Sequence, residues 1–292
     1  MNKRILLTGI TGFLGSLLAK ELLQEGYEII ALKRKSSSLT RIKSIVKNLI
    51  LYDIDELDFA MPFKEHGEID AVIHTATCYG RNGESIGQIF EANTIFPMHL
   101  LEAASKAGVG LFINTDTILD KYLNIYSLSK NQFLEWGRFF SMRNRIHFSN
   151  LRLEHIYGPG DDDSKFTTFV IKSCIENVST LELTLGEQKR DFIYIDDAIS
   201  VYMLLVEKLG QFSERYVEFD VGSGSSIPIR DFVENVHRLT QSDTKLIFGA
   251  LPYRDGEVMV SHANVEPLRK LGWTCQTTLE QGLMRVIEEY RQ

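Results

Sequence analysis

The chain has 292 residues, of which 44% are hydrophobic and 24% charged, a composition typical of a globular protein with a large core. Its 32 lysines and arginines against 39 aspartates and glutamates give a formal net charge of −7, which argues against a nucleic acid or an anionic membrane bound by bulk charge. The three cysteines are far apart and no apolar stretch approaches the ~18 residues of a membrane span, so we expect a cytoplasmic protein without disulfides or a metal site.

Short apolar segments alternate with helical patterns in the first half of the chain. Strands are predicted over residues 4–7, 27–32, 49–52, 71–74, 110–114 and 147–152. Leucines at helical spacing predict a helix that contains Leu17 and Leu23, and further helices are predicted over 93–106 and 126–140. This alternation indicates an α/β fold with a Rossmann-like, doubly wound parallel sheet.

The alternation weakens in the second half of the chain, after Gly158-Pro159-Gly160. Helices are predicted near 198–209 and over 279–290. We therefore predict a dinucleotide-binding domain over residues 1–158, to which residues 190–210 return, and a smaller, mainly substrate-binding lobe over residues 159–292.

A glycine-rich turn follows the first strand and precedes the first helix. Its G-x-x-G-x-x-G pattern suits a tight turn, close approach of the backbone to a pyrophosphate, and close packing of the helix on the strand. The helix N-terminus adds N–H groups and a favourable dipole for phosphate. The residues predicted to hold the pyrophosphate are Gly9, Thr11, Gly12, Phe13, Leu14 and Gly15.

The end of the second strand indicates which dinucleotide is bound. NAD sites commonly have Asp or Glu there, whereas this chain has Lys33-Arg34-Lys35-Ser36. A cationic cluster suits a 2′-phosphate, so we predict NADP rather than NAD, with Arg34 as the main contact; a plain basic surface turn is the alternative. Asp53 and Ile54 are further candidate cofactor contacts: Asp53 could accept a hydrogen bond from the adenine amino group, or else caps a loop.

Tyr126 and Lys130 are spaced i and i+4, which places them on one face of a helix. A nearby ammonium is expected to lower the tyrosine pKa from about 10 toward neutrality, so that Tyr126 exchanges a proton with a substrate oxygen while hydride moves to or from a nicotinamide. Lys130 is also expected to bind the nicotinamide ribose. Thr117, slightly preferred over Thr115, is expected to polarise the substrate carbonyl; both threonines could instead cap the strand.

Three motifs together resemble the extended short-chain dehydrogenase/reductase family, also called the NAD-dependent epimerase/dehydratase family. They are the glycine pattern over residues 9–15, Y-x-x-x-K over 126–130, and Tyr157-Gly158-Pro159. His74-x-Ala76 and Asn93 also match that family, which implies that His74 and Ala76 lie beside the cofactor. The resemblance implies a nucleotide-sugar substrate and, since relatives often dimerise through the helices after the fourth and fifth strands, a homodimer.

The resemblance also implies a set of substrate contacts. Arg190 and Arg254 match arginines that hold the diphosphate of the sugar nucleotide, with two surface ion pairs as the alternative. Glu154 and His155 stand where many relatives have Pro-x-Asn, and are expected either to contact substrate or to form a buried, hydrogen-bonded pair. The set is completed by Tyr79 and Lys165.

A closer likeness is to the branch of CDP-abequose and CDP-paratose synthases, carried by residues 114–117, 152–161 and 186–193. These enzymes reduce a CDP-linked 4-keto-3,6-dideoxyhexose. Thr115-Asp116-Thr117 lacks the Glu of the Thr-Asp-Glu motif in related dehydratases, which argues against dehydration. The resemblance thus implies NADPH-dependent reduction of a C4 keto group in deoxysugar or O-antigen (lipopolysaccharide) biosynthesis. The alternatives are a 4-epimerase with tightly bound NAD and, more remotely, a non-catalytic dinucleotide sensor.

Overall fold

The structure, a computed structural model, describes residues 3–254 and 256–291. Within them the strands are β1 (Arg4–Thr8), β2 (Glu28–Lys33), β3 (Leu49–Asp53), β4 (Ala71–His74), β5 (Leu111–Thr117), β6 (His147–Leu153), β7 (His155–Tyr157), β8 (Thr180–Leu183), β9 (Lys189–Tyr194), β10 (Tyr216–Val221), β11 (Ser226–Pro228) and β12 (Lys245–Phe248). The helices are α1 (Phe13–Gln24), α2 (Met61–His66), α3 (Ile86–Phe90), α4 (Phe96–Lys106), α5 (Ile125–Met142), α6 (Phe166–Ile175), α7 (Ile195–Glu207), α8 (Ile229–Thr240), α9 (Glu266–Lys270) and α10 (Leu279–Arg291). A π-helical turn, Glu91–Ile95, joins α3 to α4.

Seven strands form one sheet in the order β10-β6-β5-β4-β1-β2-β3. β1 pairs in parallel with β2 and β4, β2 with β3, and β4 with β5. The side chains of Ile5, Leu6 and Leu7, and the whole of β4, are buried, as expected for strands covered on both faces. The predicted Rossmann-like α/β fold is thus confirmed.

The topology of this sheet brings three loops together. β1, β4 and β5 are neighbours that run in the same direction, so their carboxyl ends meet at one edge of the sheet. Residues 9–12, 75–85 and 118–124 follow these three strands. In open parallel sheets ligands bind at this edge, so the candidate site is expected there.

The chain divides into two compact units. The first contains Met1–Arg152 and Tyr202–Phe219, and the second Leu153–Val201 and Asp220–Gln292. The division falls before the predicted residue 158, and the returning segment is 202–219 rather than 190–210. The reason is that β10 pairs with β6 in the large sheet. The returning segment therefore extends into β10, beyond the helix from which it was predicted.

The second unit has its own small sheets and core. β9 lies between β11 and β7, and β8 pairs with β12. Phe192 of β9 stacks on Phe232 of α8, with ring centroids 4.3 Å apart. The buried carboxylate of Asp191 accepts hydrogen bonds from the backbone N–H groups of Ser223, Gly224 and Ala263, and so holds the loop after β10 and the segment before α9 against β9.

Among residues 3–254 and 256–291, no helix has both the length and the apolar character needed to cross a membrane. In the same residues, histidine, cysteine, aspartate and glutamate side chains do not gather in groups of three or more that could hold a metal ion.

Candidate active site

The glycine loop packs directly against the end of β4. Gly9 has φ +72°, and a Cβ there would lie 2.6 Å from Ala76 N. A Cβ on Gly15 would lie only 2.2 Å from Gly9 O, whereas one on Gly12 would meet the same oxygen at 3.2 Å. Gly9 and Gly15 are therefore required by the packing of the protein itself, while Gly12, which is exposed, leaves its outer side open to a ligand.

The first turn of α1 suits the phosphates of a dinucleotide. Its N-cap is Gly12, which has no side chain to bind the N–H groups of the turn, and the turn contains no acidic residue. Phe13 and Leu14 have buried side chains, so their contribution to a ligand would come from the backbone. Thr11 is half-buried in the same turn. The residues present therefore fit the pyrophosphate of NAD or NADP.

His74 is a core residue. Its side chain is fully buried, with Nδ1 2.8 Å from Thr8 Oγ1 and the ring packed near Phe96, Phe112 and Phe133. Burial, with a smaller effect of Lys130, holds the pKa of His74 well below its usual range, so the imidazole is neutral. The expectation that His74 contacts the cofactor thus does not fit its side chain, which positions the end of β4 instead.

The basic end of β2 is only partly available to a ligand. Lys33 makes an ion pair with Asp53 at the end of β3, so both of these side chains are already engaged. Arg34 is exposed beside them, while the half-buried Ile54 packs against the core. Arg34 and Lys35 are thus the exposed cations of this cluster, while Asp53 has an ionic partner.

The start of α5 fixes the predicted catalytic pair. Asn124 caps the helix and forms a capping box with Ser127, so Tyr126 falls in the first turn and Lys130 one turn later. The side chain of Asn93 donates to Cys78 O and to Ser129 Oγ, at 2.8 and 3.0 Å. Asn93 thereby holds α5 against the loop after β4, which carries Thr77 and Tyr79.

The electrostatics of Tyr126 differ from the expectation. Burial raises the pKa of Tyr126 well above its usual value; Tyr79 and Asp116 add to this, and hydrogen bonds with Thr77 and Thr117 oppose it. Burial also lowers the pKa of Lys130, against the opposing effect of Asp116. The expected lowering of the Tyr126 pKa by Lys130 is therefore not found, because burial has the largest effect and Tyr79 and Asp116 act in the same direction. Tyr126 is a neutral phenol at neutral pH.

The two candidate threonines have different surroundings. Thr115 Oγ1 lies 2.8 Å from the hydroxyl of the fully buried Tyr202, so it is engaged inside the protein. Thr117 interacts with Tyr126, as does Thr77, a residue that the sequence reasoning did not select. Thr77 lies just after β4 at the carboxyl edge, and this position is the signal that could have identified it. Of the two candidate threonines, Thr117 is thus the one that hydrogen-bonds with Tyr126.

A tilted aromatic contact joins the rings of Tyr79 and Tyr126. The ring centroid of Tyr79, a predicted substrate contact, is 5.0 Å from that of Tyr126, and the Arg81 guanidinium lies 4.8 Å from the Tyr79 ring centroid. Tyr79 is 43% exposed, so it is a wall of the site that a ligand can reach. Arg81 was not predicted.

The predicted substrate residues of the second unit are largely engaged with acidic partners. Arg190 makes an ion pair with Glu257 and donates to Lys189 O at 2.8 Å. Lys165 lies 3.0 Å from the buried Asp161. Arg254 is exposed, in a loop next to residue 255, which lies outside the described residues.

Glu154 and His155 form a hydrogen-bonded pair of which only Glu154 is buried. The buried carboxylate of Glu154 accepts a hydrogen bond from Ser261 Oγ at 2.5 Å and lies 3.1 Å from His155 Nδ1. Glu154 is therefore an internal anchor. The His155 side chain remains 38% exposed, and stays a predicted substrate contact.

The match to a protein family agrees with this geometry. A model of the NAD dependent epimerase/dehydratase family matches residues 5–218, and the chain belongs to that family. The resemblance inferred from the three motifs is thus confirmed, as is the prediction of an oxidoreductase-type enzyme.

Individual relatives extend the comparison over the whole chain. A CDP-abequose synthase from Salmonella muenchen is 36% identical, with 98% of both chains aligned. A CDP-abequose synthase from Salmonella typhimurium LT2 is 30% identical, with 99% of this chain and 98% of the relative aligned. The crystal structure of UDP-glucuronic acid 4-epimerase from Bacillus cereus, in complex with UDP-glucuronic acid and NAD, has the same fold, with a TM-score of 0.85, 21% identity and 99% of both chains covered.

Proposed function

We propose that the protein reduces the C4 keto group of a CDP-linked 4-keto-deoxyhexose with NADPH. The observation that carries this proposal is the placement of the Tyr126 hydroxyl beside Thr77 and Thr117, where the loops after β4 and β5 meet at the carboxyl edge of the sheet. Reduction of a ketone needs a proton donor at the carbonyl oxygen, and a phenol in this position supplies one. The relatives named CDP-abequose synthase support the choice of CDP and of the deoxyhexose.

Different residues of the first unit have different roles in this reaction. The glycine loop and the N-terminus of α1 would hold the coenzyme pyrophosphate, and Lys130 would bind the nicotinamide ribose. When bound, the reduced nicotinamide supplies a hydride to C4 of the sugar. Tyr126 donates its phenolic proton to the C4 oxygen, which Thr117 orients by a hydrogen bond. His155 and Arg254 stay predicted contacts of the nucleotide sugar.

The choice of coenzyme rests on Arg34. We expect Arg34→Ala to raise KM for NADPH about 10- to 100-fold, because a guanidinium–phosphate bond contributes about 1.5–3 kcal/mol. KM for NADH should stay unchanged, since NADH lacks the 2′-phosphate. Steady-state kinetics with both coenzymes measures this, with Lys47→Ala as an exposed control. An equal rise for both coenzymes would contradict the assignment of NADP.

Turnover with a panel of substrates tests the reaction class. The protein is incubated with NADPH and 4-keto-deoxyhexoses linked to CDP, dTDP, UDP or GDP, and NADPH absorbance is followed. We expect consumption of one NADPH per product with the CDP sugar. Consumption with another nucleotide only would remove CDP from the proposal. A tightly held NAD that copurifies, with no NADPH consumed, would favour the 4-epimerase instead.

A homodimer and a cytoplasmic location remain part of this proposal. An exposed apolar stripe runs along α5 and consists of Leu128, Trp136, Phe139 and Met142. A second copy of the chain would cover it. We expect Trp136→Glu combined with Phe139→Glu to convert a dimer into a monomer in analytical ultracentrifugation, and Tyr122→Glu, on an exposed loop, to leave it dimeric. A wild-type protein that sediments as a monomer would contradict the dimer.

A further inference from the structure

A buried amide bridges two carboxylates in the large sheet. Asp116, in β5, is 6% exposed; its Oδ1 accepts from Thr117 N at 2.8 Å and its Oδ2 from Asn150 Nδ2 at 3.0 Å. The same nitrogen of Asn150, in β6, donates to Glu218 Oε2 at 3.0 Å. Asn150 is itself held by Asn114, whose amide donates to Asn150 Oδ1 at 2.7 Å. Asp116 is therefore fixed in place between the two candidate threonines.

The two bridged carboxylates face different partners. Glu218, in β10, accepts a hydrogen bond from Tyr216 at 2.7 Å and lies within 3.5 and 3.7 Å of the guanidinium groups of Arg152 and Arg138. The charge of Glu218 is thus balanced by these two arginines. The charge of Asp116 instead acts on Lys130 and Tyr126, at the candidate active site.

We propose that Asp116 is a positioning residue of the reaction: its fixed, buried carboxylate is the counter-charge of the buried Lys130 ammonium beside Tyr126. This inference rests on the proposed function and goes beyond it, since it assigns the charge of Lys130 to a further residue. Lys130 is 1% exposed, and a buried cation is costly unless an anion accompanies it. Asp116, in β5, supplies that anion.

The effect of Asp116 has the same sign on both groups. Its negative charge raises the pKa of Lys130 and the pKa of Tyr126. The other titratable groups that face the pair are His74 of β4, which is neutral, and Tyr79 of the loop after β4. Removal of the Asp116 charge is therefore expected to lower both pKa values, so that the ammonium and the proton donor are lost at a lower pH.

Asp116→Asn in the full-length protein tests this inference without substrate or coenzyme. The protein is labelled with ¹³C at lysine Cε, and the Lys130 signal is assigned by its absence in Lys130→Arg. We expect the titration midpoint of Lys130 to fall in Asp116→Asn. Glu218→Gln is the matched control, since it neutralises the other carboxylate of the same bridge. The titration midpoint of Lys130 in this variant should equal that in the wild type. Asp116→Ser gives the same readout if the asparagine variant does not fold.

Kinetics provide the second readout. In Asp116→Asn the alkaline limb of the pH profile of kcat should move to lower pH, with KM unchanged. Asp116→Glu keeps the charge, so its alkaline limb should lie at the wild-type pH. A Lys130 midpoint that stays at its wild-type value, or that falls equally in Glu218→Gln, would overturn the inference. Failure of the wild type to consume NADPH would contradict the proposed function but leave the titration result to decide the role of Asp116.

Discussion

Replacement of Tyr126 by phenylalanine is expected to reduce kcat by about 10²–10⁴-fold, the usual contribution of a general acid. Phenylalanine keeps the ring contact with Tyr79 but loses the hydrogen bonds with Thr77 and Thr117, so the melting temperature should fall only slightly and the fold should be kept. The loss should appear in kcat rather than in KM for NADPH, because the glycine loop and Lys130 remain. NADPH oxidation in steady state, with coenzyme binding followed by fluorescence, measures both quantities.

Tyr122→Phe is the matched control for this variant. Tyr122 lies on the loop that precedes α5 and is 76% exposed, so loss of its hydroxyl should leave kcat unchanged. A Tyr126→Phe enzyme as active as the wild type would remove the proton donor from the account. An absence of activity in both the wild type and Tyr126→Phe would favour the non-catalytic dinucleotide sensor.

The second large effect is expected for Gly15→Ala. The added Cβ would lie 2.2 Å from Gly9 O, a backbone atom that cannot move without displacing the loop from β4. Overpacking of this kind costs about 1–3 kcal/mol or more, so we expect a lower melting temperature and loss of NADPH binding together. Thermal unfolding and a binding titration on the same samples test both effects.

Gly12→Ala separates packing from ligand binding. Its Cβ would approach Gly9 O at 3.2 Å, and its φ of −80° is open to alanine, so the melting temperature should stay close to that of the wild type. The methyl group would lie where the phosphates approach, so NADPH affinity should fall. Equal melting temperatures for Gly12→Ala and Gly15→Ala would contradict this division of roles.

The sheet could be predicted from the sequence because buried parallel strands are continuous apolar segments. The predicted strand over residues 71–74 agrees with β4, whose four residues are all buried. The strand predicted over 110–114 is too short, since β5 continues to Thr117. Asn114 and Asp116 are polar, so they did not suggest a buried strand; their partner Asn150 lies on another strand, and local sequence carries no sign of that pairing.

The helix predicted over 93–106 covers two elements in the structure, most of a π-helical turn and the whole of α4, and helical structure already starts before it. α3 begins at Ile86, the π-helical turn Glu91–Ile95 follows, and α4 begins at Phe96, with Pro97 in its first turn. Proline suits the first turn of a helix, because the N–H that it lacks has no partner there. Asn93 lies in the π-helical turn, where its amide can reach both the loop after β4 and α5.

The candidate site was predicted where local spacing determines geometry, and missed where it does not. The spacing of Tyr126 and Lys130 follows from the helix, and the glycine loop follows from its turn. The roles of Thr77 and Asp116 depend on which strands are neighbours, which sequence spacing does not reveal. The same holds for the pKa of Tyr126, because burial and the Asp116 charge come from tertiary packing.

Transfer of deuterium tests the central claim most directly. The protein is incubated with CDP-4-keto-3,6-dideoxyhexose and NADPH that carries deuterium at the transferable position of the nicotinamide, and the sugar is examined by NMR. The account predicts deuterium at C4 of the sugar, one oxidised coenzyme per product, and no transfer with Tyr126→Phe on the same time scale. A product without deuterium, or a sugar inverted at C4 with no coenzyme consumed, would contradict it.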